Sequence, residues 1–362
     1  MRFRPDILRS FATDLLSALG TPPDSLSKVA TSLMHADLRG TGSHGVSILP
    51  LYAEMVADQA INPSAEPAIE RSAGCIIKVD GRLAFGQLTG ETATATGIET
   101  ADKHGVAVVG IHHGAHLGRL GEWAEQATAK GMVFMAFANA GGGARNVAPF
   151  GGHERKLSTN PVAFGIPTFG ALPFNVIADF ATSQVSGAVI REHYRAGLPL
   201  NDEWTTTATG DPVATAQAFM DDEGALLPLG GRTTGHKGYG LSVIVELLGG
   251  YVGGMVVGQQ DPEWFSNAAM FVLVDPTRFL SVEHIQERAT AVAEHLRDET
   301  VRLPGEGAYQ REIAAREQGL EIPDHVVASL GRLASDLNVE TPAEFADGLQ
   351  ASPESHKSLK SW

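Results

Sequence analysis

Cysteine is nearly missing from this chain: Cys75 is the single one in 362 residues. One thiol excludes a disulfide framework and a thiolate zinc site. It stands in "CIIKVDG", which reads as a strand, so a buried small hydrophobe is its expected role. Positive charge is also scarce. Lys and Arg number 27 against 42 Asp and Glu, a formal charge of −15. Binding to a phosphate backbone needs a clustered basic surface, and none is visible, which excludes a nucleic-acid partner. A small anion bound by so acidic a chain requires a local positive site set against the overall field.

The common nucleotide-binding signatures are missing as well. Glycine is plentiful, with 41 copies, yet no stretch supplies Gly-x-Gly-x-x-Gly between a strand and a helix. In "NAGGGARNVAP", Arg145 and Pro149 spoil the register; "GGRTTGHKGYG" has no Gly-Lys-Ser/Thr. Neither a Rossmann fingerprint nor a phosphate loop is present. Internal repeats and low-complexity tracts are absent too. Among apolar runs, Leu241 to Gly258 has the length to be considered as a membrane span, but Glu246 sits inside it without basic flanks or a second span. A buried helix crossing the core is expected there, and no membrane partner. At the N-terminus Asp6, Arg9 and Asp14 interrupt any signal-peptide core, and a cytoplasmic protein is expected.

What is present suits a sizeable globular core: 43% hydrophobic and 19% charged residues, with mean hydropathy near zero. Leu8, Phe11, Leu15 and Leu19 recur at helical spacing before Gly20, and a second periodic run (Leu26, Val29, Leu33) ends at Gly40. Pro50 should kink or restart the helix after His44. From about Cys75, the runs "CIIKVDG", "VAVVGI", "MVFMAFA", "NPVAFGIP" and "FNVIADFA" read as strands, with helical stretches between some of them. After "AAMFVLVDPTRF" the texture is helical again, and the tail from Glu340 is polar and expected to fray. The fold class is therefore α/β: an α/β domain over 73–275 beside a helical domain built from both ends, 1–72 and 276–362.

Three histidines crowd "IHHGAHLGRLG", at 112, 113 and 116. Gly114 breaks the helical spacing a zinc pair would need and no Glu-x-x-His follows, so no metal is expected. "GTGSHG" approaches a serine nucleophile elbow, except that Thr41 stands where Gly-x-Ser-x-Gly requires glycine. "SHG" and "GAHLG" both set a histidine among small residues, where backbone approaches a ligand closely. Histidine is the side chain best matched to proton transfer near neutral pH. These residues support a histidine acid/base enzyme, the alternative being structural loop histidines.

Taken in order, six segments resemble the type 2 malate/L-lactate dehydrogenase family of NAD(P)-dependent oxidoreductases. "ADLRGTGSHGV" is similar to its Asp-x-Arg-Gly-x-x-Ser-His-Gly opening, and "HHGAHLGRLGEWA" to its Asn-Ser-x-His-Phe-Gly loop. "APFGGHERKLSTNPVAFGIP" resembles the Gly-Gly … Gly-Thr-Asn-Pro stretch and "ADFATSQVSGAVI" the Asp-x-Ala-Thr-Ser strand end. "GHKGYGLSVIVELLGG" and "VRLPGEGAYQRE" resemble the Lys-Gly-x-Gly-Leu helix and the late Pro-Gly-Glu. The resemblance implies a non-Rossmann cofactor-binding sheet domain, a homodimer with its site near the subunit contact, and NAD as cofactor with NADP as the alternative.

It also implies roles. His44 would be the general acid/base and His116 a second donor or alternative acid/base, with Asp179 orienting His44. Ser43, Tyr52 and Arg39 would meet a small carboxylate substrate. Thr159, Asn160, Asp179, Phe180, Thr182, Ser183, His236, Lys237, Gly238, Gly305 and Glu306 would meet the cofactor, Thr182 and Ser183 by opening a helix. Position 48 departs from the pattern: many members carry Arg four residues after the motif histidine, and here it is Ile48. Isoleucine cannot grip a carboxylate, so Arg39, Arg119 or Arg145 would take over, or the substrate differs. The implied reaction is hydride transfer between nicotinamide and a 2-hydroxy/2-oxo acid. A cyclic imino-acid reductase, a diverged non-catalytic cofactor-binding protein and a Ser43/His44 hydrolase are the competing readings.

Overall fold

The computed structural model describes residues 1–259, 262, 264–298 and 300–345. Its centre is a seven-stranded mixed sheet. The strands are β1 (Ala68–Ala73), β2 (Ile76–Asp80), β3 (Val106–Gly114), β4 (Val133–Asn139), β5 (Val162–Ile166), β6 (Val176–Phe180) and β7 (Asn267–Val274). They lie in the order β1-β2-β3-β7-β4-β5-β6. Only β2 and β3 run parallel; the helix that crosses between them is α4 below. The last strand in sequence is the middle one in space: Phe271 stands opposite Val109 of β3 and Ala136 of β4. Its apolar run explains this place, because Ala269, Phe271 and Leu273 are fully buried, as a strand covered by helices must be.

Helices α1 (Pro5–Ala18), α2 (Pro23–Leu38) and α3 (Leu49–Ala57) precede the sheet. Within and around it run α4 (Gly86–His104), α5 (Leu120–Ala129), α6 (Gly187–Ala196), α7 (Ala216–Met220) and α8 (Gly231–Tyr251). Three more follow: α9 (Val282–Leu296), α10 (Glu306–Gln318) and α11 (Asp324–Asp336). The two ends meet: Phe11, Leu33, Met55, Leu330 and Phe345 share one core, and Arg2–Phe3 pairs antiparallel with Leu320–Glu321. α9 packs elsewhere, its Ala293 against Phe174 and Leu303. Pro50 sits in the first turn of α3, where a missing N–H costs nothing.

Several sequence expectations need correction. Cys75 is half-buried in the turn between β1 and β2 rather than inside a strand. The helix after β6 begins at Gly187, so Thr182 and Ser183 do not open it. α8 is buried on one face only; Ile244, Leu247 and Tyr251 stand exposed on the other. Among the described residues no helix is long and apolar enough to cross a membrane. The tail expected to fray lies outside the described residues from 346 onward.

Candidate active site

The segment between α2 and α3 is wound around one buried carboxylate. Asp37, near the end of α2, accepts a hydrogen bond from the Val46 backbone N–H at 2.9 Å. A Cβ at Gly45 would come 2.0 Å from Asp37 Oδ1, so only glycine fits there. Two short turns, Gly42–His44 and Val46–Ile48, complete the loop and present Ser43 and His44 side by side. Ser43 Oγ lies 3.0 Å from His44 Nδ1.

His44 stacks on His116, with ring centroids 5.3 Å apart and planes at 30°. Behind them, Tyr52 OH is 2.9 Å from His116 Nδ1, and Gln87 Nε2 donates to the same hydroxyl at 2.8 Å. With its lone pair engaged by Gln87, Tyr52 can place its one proton on His116 Nδ1, which would leave the His116 Nε2–H as donor. Burial, helped by the charges of Arg191 and Arg119, pushes His44 down to about 4. Burial also holds His116 well below its usual value, with His44 and Arg191 acting in the same direction. Both imidazoles are therefore neutral at pH 7.

A cavity of about 950 Å³ opens onto Ser43 and His44, with His116 behind them and outside its lining. Arg39, Ser43, His44, Ile48, Thr159, Asp179, Phe180, Ser183 and Gly305 all line it, so the structure brings these nine expected residues together. Arg39 is held by Glu125 at 3.3 Å and Glu312 at 3.1 Å. Arg119 is paired with Glu125. Arg145 does not line the cavity. Ile48 is buried in the wall, 6% exposed.

The role expected for Asp179 is corrected. Its Oδ2 accepts the Gly121 backbone N–H at 2.7 Å, at the start of α5, and it stands beside Arg119. Enclosure raises its pKa, which the Gly121 hydrogen bond and Arg119 oppose. His44 Nδ1 is oriented by Ser43 instead. The charges acting on His44 are arginines, not a carboxylate, which removes the third member a Ser43/His44 hydrolase would need.

Other expected contacts turn out to be supports. Tyr52 is fully buried behind His116, away from the cavity. Asn160 is buried too; its Nδ2 donates to Glu246 Oε2 at 2.8 Å and to Ser242 O at 3.1 Å, tying β5 to α8. Thr182 Oγ1 donates to Thr159 O at 3.0 Å. Glu306 accepts from Leu303 N at 3.1 Å and pairs with Arg297. His236 packs its ring against Phe150 at 5.6 Å. Lys237 is exposed outside the cavity wall. A Cβ on Gly238 would strike Leu229 O at 2.4 Å, so this glycine serves helix-to-backbone packing. His112 and His113 group with Asp80 rather than with His116, their donor atoms within 4.8 Å of one another and Lys78 nearby. At His113 a φ of 47° breaks strand alternation and brings the two rings 4.4 Å apart.

The sequence reading missed the arginines of α6. Arg191 and Arg195 both line the cavity, and Arg191 acts on both histidines. Their spacing of four would have found them had the helix been placed at Gly187.

The profile of the malate/L-lactate dehydrogenase family matches residues 3–331. An L-lactate dehydrogenase of Cupriavidus necator is 34% identical over 345 residues, 92% of this chain and 97% of that protein. The hydroxycarboxylate dehydrogenase B of Escherichia coli O157:H7 is 31% identical, over 89% of this chain and 90% of that one. A malate dehydrogenase structure from Entamoeba histolytica superposes with a TM-score of 0.88 at 25% identity, over 94% and 99% of the two chains. The likeness runs through helical ends, sheet and histidine loop alike, and the chain belongs to the malate/L-lactate dehydrogenase family of oxidoreductases.

Proposed function

We propose that the protein is a nicotinamide-dependent 2-hydroxy-acid dehydrogenase in which His44 exchanges the proton of the substrate hydroxyl. The observation that carries this is the Ser43–His44 pair, backed by His116 and Tyr52, standing in the wall of a cavity rich in arginine. The lining suits a nicotinamide dinucleotide. Ile177, Phe180 and Leu229 offer apolar surface to flat rings, and the first turn of α10, through Gly305, Gly307 and Ala308, faces the same space. A helix N-terminus stabilises a pyrophosphate, and Arg311 lines the wall beside it. NAD is proposed, with NADP the second arm of the assay.

When bound, the reduced cofactor supplies the hydride. The chain's own residues handle everything else. His44 must stand within hydrogen-bond reach of the substrate oxygen, which becomes an alkoxide as hydride arrives. Ser43 fixes the His44 ring from one side, and His116, held by Tyr52, stacks on it from the other. The ring stack and the aliphatic wall at Ile48 keep water from the reacting carbon. We also place a second copy of the chain on the outer face of α8, where Ile244, Leu247 and Tyr251 form an apolar row.

The test follows nicotinamide absorbance with NADH and NADPH against a panel of 2-oxo acids and cyclic imino acids. Turnover with a 2-oxo acid is expected, and His44→Gln should lower kcat by about 10²–10⁴ while NADH fluorescence titration shows binding retained. A His44→Gln enzyme as fast as the wild type would remove the acid/base role. No turnover and no nicotinamide binding would remove the whole reading.

A further inference from the structure

At the C-terminal end of the parallel pair β2–β3, three side chains meet that the reaction does not use. Asp80 of β2 and His112 of β3 are register partners, so their side chains leave the sheet on the same face. Strand alternation would send His113 to the other face. Its φ of 47° turns it back, and its ring centroid comes 4.4 Å from that of His112. One ligand atom from each of the three lies within 4.8 Å of the other two. None of the three lines the cavity beside His44.

The spacing and the chemistry suit a metal ion. Two atoms each about 2.0–2.2 Å from a tetrahedral zinc stand roughly 3.3 Å apart, and Asp80 Oδ1 is 3.1 Å from His113 Nδ1. His112 is 7% exposed, and its Nε2 is buried with no hydrogen-bond partner among the described residues. A buried nitrogen left unpaired is costly, and a metal ion can take up its lone pair. Asp80 is also held as ligating carboxylates are, since its Oδ1 accepts the Arg82 backbone N–H at 3.0 Å. The His113 side chain is 63% exposed, which leaves a way in from solvent and room for the ring to close on an ion. Lys78 stands near His112 and opposes a cation, but its ammonium is 3.9 Å from Glu70, which offsets it.

We propose that Asp80, His112 and His113 form a site for a divalent first-row transition ion, zinc foremost, with water in the fourth position. Two imidazoles and a carboxylate suit such ions, whereas calcium and magnesium take oxygen ligands. Histidines spaced along a helix are not needed, because the turn at His113 brings two adjacent strand residues to one point. The ion ties the end of β2 to the end of β3, and its binding to the folded chain alone stabilises the fold.

Calorimetric titration of the untagged, chelator-treated full chain with divalent zinc, and then with divalent cobalt, tests this. The wild type should bind one ion per chain, at micromolar affinity or tighter, and zinc should raise its melting temperature. Asp80→Asn and His112→Gln each remove a ligand and should cost at least the roughly 10–100-fold that losing an outer-shell partner costs. His113→Gln changes an exposed side chain, so it should fold as the wild type does. It should lose the ion to the same degree and show no rise in melting temperature with zinc. A wild type that binds neither ion, or binds only at millimolar concentration, overturns the site. So does binding that survives His113→Gln and Asp80→Asn unchanged, which would put the ion on other residues.

Discussion

Asp37 shows how a single residue organises the reacting loop at a cost that depends on pH. Burial raises its pKa from 3.8 to about 7, against the opposing hydrogen bond from Val46. The folded chain therefore keeps a proton that the unfolded chain loses near pH 4. The stabilisation is complete below the unfolded value and is lost as pH rises through about 7. At 1.36 kcal/mol per unit, roughly 4 kcal/mol disappears across that window. Asp37→Asn can still accept from Val46 but cannot ionise. Chemical denaturation at several pH values should show the variant gaining on the wild type steadily between pH 4 and 7, and level above. Parallel curves for the two proteins would mean that Asp37 ionises freely in the fold.

At the scale of elements, α8 separates what was legible from what was not. The resemblance placed Gly238 at the cofactor, whereas the structure sets it against Leu229, whose N and O lie 2.6 and 2.4 Å from where a Cβ would stand. Gly238→Ala should therefore lower stability by about 1–3 kcal/mol, outweighing the roughly 1 kcal/mol of helix propensity gained, and leave NADH affinity alone. Lost NADH affinity with an unchanged melting temperature would restore the cofactor contact. The strands β2 to β6 were legible because each is a short apolar run between breakers. β1, "AIERSA", carries two charges at a sheet edge and gives no such signal. α6 buries only Gly187 and Ile190, so it has no apolar stripe to read, and Arg191 was missed with it. Ser43 and His44 are neighbours in sequence and could be paired on sight. His116 and Tyr52, 64 residues apart, were named through resemblance, and their contact needed the fold. Asp179 was misread because the resemblance gave this strand-end carboxylate the task of orienting His44, whereas in the fold it accepts the Gly121 N–H at the start of α5.

For the molecule as a whole, the apolar run from Leu241 onward poses a question of covering. Its hydropathy suggested a helix buried all round, yet Ile244, Leu247 and Tyr251 are 54%, 44% and 78% exposed in the single chain. They fall at spacings of three and four, one stripe along α8 opposite the face packed on the sheet. Burying such side chains gains roughly 1.5–3 kcal/mol each before the costs of association. In a two-fold dimer every residue of the stripe occurs twice, so a substitution there also acts twice. Leu247→Glu with Tyr251→Glu would place four carboxylates in one contact between chains that each already carry a net charge of −15, and like charges brought together in an interface cost several kcal/mol. Sedimentation should give the wild type at twice the chain mass of 38.2 kDa and the double variant at the single mass. Because the stripe is solvent-facing within one chain, the variant should keep its fold and its far-ultraviolet dichroism. A double variant that still sediments as a dimer would put the second copy on another face, and a monomeric wild type would leave α8 uncovered.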